Sequence, residues 1–282
     1  HFNPETLKEL IHRHQKKRFL YLRRDVKPEL AKQIEAQNIT GLYLEHNYTR
    51  YYPQGAASAH VLGFTNIDNQ GQEGLELLDN KTLQGIPGQE QVVKDRLGHT
   101  VAVLGVKRAA KPGQALHLSI DSRIQYLAYR VLKNTVEKYH ADSGSVVVMN
   151  PKNGEILAMT NVPSFDTNHR LPEVNGSYRN RAVTDMFEPG STMKTFTIAS
   201  VLDQGRYTPQ TTIDTGRGVF RVGHHDILDD TRNVVITVTQ VLQKSSNIGA
   251  AHMALSSTPE HLLDMFRCVG LGRKPGAGFP GA

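Results

Sequence analysis

Apolar residues recur at helical spacing in some stretches of this 282-residue chain and run together or alternate in others, so helices and strands are expected to interleave. Asn3-Pro4-Glu5 opens a first helix, with Asn3 as the cap and Pro4 at the first helical position. Phe19-Leu20-Tyr21-Leu22 reads as a strand, Pro28 starts a second helix running to about Ala36, and Gly41-Leu42-Tyr43-Leu44 reads as another strand. Residues 50–110 mix Gly, Pro and short apolar runs, which predicts an irregular, strand-containing module. Composition shifts at Ala109-Ala110-Lys111-Pro112-Gly113, and a domain boundary is placed there, dividing 1–112 from 113–282.

Beyond that boundary Asp121 caps an amphipathic helix whose apolar face is Ile124, Leu127, Val131, Leu132 and Val136. The β-branched run Ser145–Met149, a Pro151-Lys152-Asn153-Gly154 turn and Ile156–Met159 form a hairpin. Pro189-Gly190 break the chain before Ser191, and a periodic run through Leu202 predicts a helix that begins at or near that serine, with Met193, Val201 and Leu202 in the core. Short strand-like runs fill 211–236, Thr237 caps a helix through Lys244, and Thr258-Pro259-Glu260 begins a last helix that Gly270 ends. This pattern is α+β.

Formal net charge is +6, with 38% apolar residues and no Trp. A basic balance admits nucleic acid, an anionic membrane surface or an acidic polymer as partner. No nucleic-acid motif occurs, and the densest basic cluster, His14-Gln15-Lys16-Lys17-Arg18, reads as a solvated helix end. No apolar stretch approaches the ~20 residues needed to cross a bilayer. Cys268 is the one cysteine, which excludes an intrachain disulfide, and its neighbours Phe266 and Val269 suggest a buried thiol.

The chemistry concentrates in two short motifs. Ser191-Thr192-Met193-Lys194 is the only S-x-x-K in the chain and sets a hydroxyl and an amine one helical turn apart on one face. A serine needs a neighbouring base, and a partly buried lysine of lowered pKa can be one. Ser245-Ser246-Asn247 is the only S-x-N and supplies a second hydroxyl and an amide. S-x-x-K with S-D-N and K-T-G is the motif set of serine β-lactamases and penicillin-binding proteins; here Ser246 stands where that set has Asp. Glu188, three residues before Ser191, is a candidate for tuning the site or for a structural ion pair. His224-His225-Asp226 and Asp229-Asp230 read as polar loops, since adjacent histidines on a strand point to opposite faces and no further ligand spacing accompanies them.

Around these motifs the chain resembles the class B penicillin-binding proteins, most closely the division-specific peptidoglycan transpeptidases (penicillin-binding protein 3) of Gram-negative bacteria. Arg50–Gly55, His60–Phe64, Gly71–Glu76, Leu83–Gly88 and Lys94–Arg96 resemble that family's N-terminal module. Asn180-Arg181 with Phe187–Ser191 resembles the approach to its nucleophile, and Lys244–Asn247 its second motif. The third motif, K-[ST]-G, occurs nowhere in the 282 residues, and the simplest expectation is a chain that is incomplete at its C-terminal end.

The resemblance implies an N-terminal, non-catalytic pedestal or dimerisation-like module, followed by a transpeptidase domain with an antiparallel sheet and helices on both faces. It implies Ser191 as nucleophile, Lys194 as base directly or through Ser245, and Asn247 as a substrate-binding residue, with Glu188 also a candidate substrate contact. No cofactor or metal is implied. The implied partners are D-Ala-D-Ala stem peptides of peptidoglycan, β-lactams and division-complex membrane proteins including a glycosyltransferase. The implied location is the periplasmic face of the inner membrane, with an N-terminal anchor that this chain does not carry. The competing readings are a D,D-carboxypeptidase or β-lactamase-type hydrolase, and a non-catalytic peptidoglycan or division scaffold.

Overall fold

The computed structural model of the protein describes residues 3–17, 19–95, 100–169, 176–230, 232, 234–274, 276 and 278–279. Arg18, Arg96 and the residues after Phe279 therefore lie outside what is described, and with them the ends of two motifs singled out in the sequence. Contacts divide the chain between Thr184 and Asp185, with Phe279 joining the first unit.

In the first unit Asn3 Oδ1 accepts the Glu5 N–H at 3.0 Å and starts helix α1 (Pro4–Arg13), and Pro28 opens α2 (Pro28–Glu35). Phe19–Leu22 and Gly41–Leu44 are not strands. A run of four apolar residues needs a neighbour to satisfy its backbone groups. Here side-chain contacts hold the segments instead: Phe19 packs edge-on to Tyr21, and the Tyr21 hydroxyl donates to Glu45 at 3.1 Å.

The 50–110 region holds more helix than its Gly and Pro content predicts. It runs α3 (Ala59–Leu62), β1 (Phe64–Thr65), β2 (Gly71–Glu73), α4 (Gly74–Leu78), α5 (Asn80–Gln84), β3 (Gln89–Lys94) and β4 (Thr100–Arg108). β1 pairs with β2, and β3 with β4, both antiparallel.

Asp121 accepts the Arg123 and Ile124 N–H groups and caps α6 (Ser122–Tyr139). The buried face of α6 is rotated from the apolar stripe: Gln125 and Leu132 are buried, whereas Leu127 and Val131 are about half exposed. Gln125 explains the rotation. Its Nε2 donates to Ala57 O at 2.6 Å and Met159 O at 2.8 Å, and its Oε1 accepts the Met159 N–H at 2.8 Å. The predicted hairpin forms as β5 (Gly144–Met149) and β6 (Ile156–Val162), antiparallel, with α6 along it and α7 (Arg181–Thr184) after it. Tyr52, Ala59, Phe64 and Phe165 close the core of this unit.

The second unit is built on α8 (Met193–Asp203), which follows a 3₁₀ turn at Gly190–Thr192. Then come β7 (Thr212–Asp214), β8 (Val219–Val222), β9 (His225–Leu228), β10 (Val235–Thr237), α9 (Val238–Gln243), α10 (Asn247–Ser256) and α11 (Pro259–Cys268). β7 pairs with β10 and β8 with β9, antiparallel in each case. Thr237 caps α9 in a full capping box with Gln240. Ile198, Val201, Ile236, Val238, Val241 and Met253 form the core, with Leu202 packed against it. Cys268 is exposed, not buried: α11 half-buries Leu262, Met265 and Phe266, and the thiol at its last position falls outside that set. The architecture is the α+β mixture of helices and antiparallel strand pairs expected from the sequence.

Candidate active site

Pro189 and Gly190 bring the chain into α8. Gly190 has φ +59°, a left-handed conformation that disfavours side chains, and this sharp entry places Ser191 in the 3₁₀ turn ahead of the helix. Lys194 lies one turn on, inside α8. The S-x-N motif arrives from the junction of α9 and α10. The Ser245 N–H donates to Leu242 O and the Ser246 N–H to Val241 O, the two bonds of a Schellman helix end. Ser245 occupies its left-handed position with φ +55°, where glycine is usual. Ser246 then caps α10, its Oγ accepting the Gly249 N–H at 2.9 Å.

The two motifs meet at the lysine amine. Lys194 Nζ lies 3.1 Å from Ser191 Oγ, 3.0 Å from Ser245 Oγ, 2.5 Å from Ser245 O and 2.5 Å from Asn247 Oδ1. The last two oxygens are carbonyls and can only accept. A neutral amine has two N–H donors and one lone pair. If both N–H groups go to the carbonyls, the lone pair is left facing a hydroxyl. Burial lowers the Lys194 pKa, while Asp229 and Asp230 pull it back up. The arrangement can therefore take a proton from Ser191, directly or through Ser245.

All four residues expected to carry the chemistry, Ser191, Lys194, Ser245 and Asn247, are brought together. Asn247 is engaged at both ends of its amide, since Nδ2 donates to Leu228 O at 2.7 Å while Oδ1 faces Lys194. Glu188 is exposed and has no hydrogen-bond or ion-pair partner among the described residues, so the structural ion pair considered for it is not formed. His224-His225-Asp226 is not a loop. It is the turn and start of the β8–β9 hairpin, held by a 2.8 Å bond from Arg221 Nε to Asp226. Among the described residues no group of three or more His, Cys, Asp or Glu is placed to hold a metal ion.

Asp229, read from the sequence only as part of a polar loop, is bound to the S-x-N segment. It leaves the end of β9 and accepts the Ser246 hydroxyl at 2.6 Å, the Asn247 N–H at 2.6 Å and the Ile248 N–H at 3.0 Å. Its sequence signal was slight: an acidic pair after a strand-like run, with nothing local to link it to a helix start eighteen residues later.

The profile of the penicillin-binding protein transpeptidase domain matches residues 144–282, and that of the penicillin-binding protein dimerisation domain matches residues 3–118. The chain belongs to the penicillin-binding proteins, in the form that joins a dimerisation domain to a transpeptidase domain. It is 39% identical to the peptidoglycan D,D-transpeptidase FtsI of Escherichia coli K12 over 98% of this chain and 47% of that protein. It is 40% identical to PbpC of Pseudomonas aeruginosa over 94% of this chain and 47% of that one. The crystal structure of penicillin-binding protein 3 from Mycobacterium tuberculosis complexed with ampicillin superposes with a TM-score of 0.71 and 30% identity, covering 82% of this chain and 48% of that chain. The chain thus spans about half the length of the curated relatives it matches.

Proposed function

We propose that this protein is a serine-type peptidoglycan D,D-transpeptidase that cross-links stem peptides during septal wall synthesis and is acylated by β-lactams. The observation that carries the reading is the contact of Lys194 Nζ with Ser191 Oγ, Ser245 Oγ and Asn247 Oδ1. Ser191 Oγ attacks the carbonyl carbon of the penultimate D-alanine as its proton passes to Lys194, directly or by way of Ser245. The Ser191 N–H donates to the oxyanion, a contribution on the order of 3 kcal/mol at comparable sites. The C–N bond to the terminal D-alanine breaks, and the leaving nitrogen takes the proton held at Lys194. An ester on Ser191 remains. The amine of a second stem peptide attacks that ester, the new amide forms, and the proton returns to Ser191. A β-lactam enters by the same first step and leaves a persistent ester.

Residues 1–112 serve in this reading as the non-catalytic module, and 113–282 belong to the transpeptidase domain. Asn247 uses its remaining amide capacity on the donor peptide, and Glu188 borders the substrate. The FtsI-type identity supports work at the periplasmic face of the inner membrane beside division proteins, among them a glycosyltransferase. Among the described residues no helix is long and apolar enough to cross a membrane.

The test is covalent labelling by a fluorescent penicillin, on the chain extended to the length of its relatives so that a K-[ST]-G motif is present. Labelling with a single acyl adduct on the Ser191 peptide is expected, and Ser191→Ala should abolish it. Labelling that survives in the alanine variant refutes the assignment. Product analysis of a D-Ala-D-Ala peptide with and without an acceptor amine separates transpeptidation from hydrolysis.

A further inference from the structure

The positive charge of this chain is concentrated at one end. Residues 1–32 hold nine Lys and Arg against four Asp and Glu, a formal +5 of the whole chain's +6. Ion pairs engage three of these cations: Lys8 meets Glu5 at 3.3 Å, Arg13 meets Glu9 at 3.7 Å, and Arg24 meets Asp68 at 2.7 Å. Lys16, Lys17, Arg23, Lys27 and Lys32 are exposed and have no carboxylate partner among the described residues.

An aromatic pair lies inside this basic stretch. Exposure alternates along the segment: Phe19, Tyr21 and Arg23 are exposed, while Leu20, Leu22 and Arg24 are half-buried. Alternation of this kind puts the two sets on opposite sides of the chain. Arg24 fastens the inner side, its guanidinium donating to Asp68 and to Ile67 O at 3.3 Å. The outer side carries the rings of Phe19 and Tyr21, edge to face with centroids 4.5 Å apart and each about half exposed. Tyr21 is held in place from two directions, by the Arg24 guanidinium 5.1 Å from its ring centroid and by its own hydroxyl bond to Glu45. Lys16 and Lys17 precede this pair in the chain and Arg23 follows it.

We propose that Lys16, Lys17, Phe19, Tyr21 and Arg23 form a surface that docks on a bilayer containing acidic phospholipid. It goes beyond the transpeptidase reading and does not rest on it. The ammonium and guanidinium groups meet the lipid phosphates, and the two rings settle at headgroup level, where aromatic side chains are favoured. Charge alone would fit any polyanion. The exposed rings decide for a membrane, because a hydrated charged polymer leaves them in water, whereas the headgroup region takes charge and apolar surface together. The contact is peripheral, since α1 and α2 are ten and eight residues long and too short to span a bilayer.

The experiment is sedimentation of this chain with vesicles of equal parts phosphatidylglycerol and phosphatidylcholine, and with vesicles of phosphatidylcholine alone, at low ionic strength. Binding to the acidic vesicles only is expected, with release as salt rises. One Lys or Arg near such a surface strengthens binding about fivefold, so Lys16→Gln/Lys17→Gln/Arg23→Gln should weaken it about a hundredfold. These three side chains are exposed and make no ion pair, so the variant keeps the contacts of the fold. Lys107→Gln/Lys152→Gln/Lys274→Gln removes the same charge from exposed positions elsewhere and should bind like wild type. Phe19→Ser should weaken binding severalfold and leave its salt dependence unchanged. No binding by the wild type, or equal loss in the two triple variants, overturns the proposal. Wild-type affinity in Phe19→Ser overturns it as well, because the rings then take no part. So does equally tight sedimentation with purified peptidoglycan that the first triple variant abolishes, which would assign the surface to a charged polymer.

Discussion

Ser245 is the residue that a stability argument would replace. It sits at the left-handed position of a Schellman helix end with φ +55°, where an L-residue costs roughly 1–2 kcal/mol and glycine costs little. Its hydroxyl and its carbonyl both lie against the lysine amine, at 3.0 and 2.5 Å. The backbone strain and the side-chain placement are therefore one feature: only this turn aims both oxygens of one residue at Lys194. Ser245→Gly should raise stability by about 1 kcal/mol, the relief of strain less the extra chain entropy of glycine in the unfolded state. It should slow penicillin acylation about a hundredfold through loss of the proton relay. Urea unfolding and the labelling rate check the two halves, and a variant that is both less stable and equally fast refutes the coupling. At this scale the sequence was partly legible. Ser191, Lys194, Ser245 and Asn247 could be found because each motif is local and its spacing implies a helix face or turn. The part of Asp229 in the site could not, because its partners lie beyond a strand and a helix, and nothing in its own neighbourhood records them.

Between elements the site depends on how tightly α9 and α10 approach. Gly249 is the contact point: a Cβ built there would lie 2.4 Å from Val241 Cγ2 and 3.1 Å from Ser246 Oγ. Neither neighbour can yield freely, since Val241 is fully buried and Ser246 is tied to Asp229. Gly249→Ala should therefore destabilise the protein by about 2 kcal/mol through overpacking, despite the better helix propensity of alanine. A melting temperature equal to or above wild type would show that the junction can open without cost. Elements whose signals are local were read correctly, among them the Asp121 and Thr237 caps, the Pro4, Pro28 and Pro259 starts, and the β5–β6 hairpin. The strands expected at Phe19–Leu22 and Gly41–Leu44 failed because a strand is a pairing, and short apolar runs do not say whether a partner exists. The α6 face was misjudged for a related reason: hydrophobicity pointed to Leu127 and Val131, but a polar residue with three backbone bonds went inside.

That polar residue matters for the first compact unit as a whole. Gln125 is fully buried, and its amide joins Ala57, from the stretch matched by the dimerisation-domain profile, to Met159, from the stretch matched by the transpeptidase profile. Other bonds run the same way: Asn168 pairs with the backbone of Tyr52 through both ends of its amide, and Ser164 Oγ donates to Ala56 O. The aromatic cluster repeats the pattern, with Phe165 and Tyr178 against Phe64. Segments far apart in sequence thus share one core, a fact that composition does not record. Gln125→Leu keeps the volume but strands two buried carbonyls and one N–H, and should cost about 3 kcal/mol. Leu127→Gln, two positions along the same helix at 50% exposure, makes the opposite exchange and should change stability by less than about 0.5 kcal/mol. With no Trp and ten Tyr in the chain, tyrosine fluorescence during urea unfolding gives the readout. If the two variants unfold at the same urea concentration, the buried amide does not hold the first unit together, and the aromatic cluster must carry that role unaided.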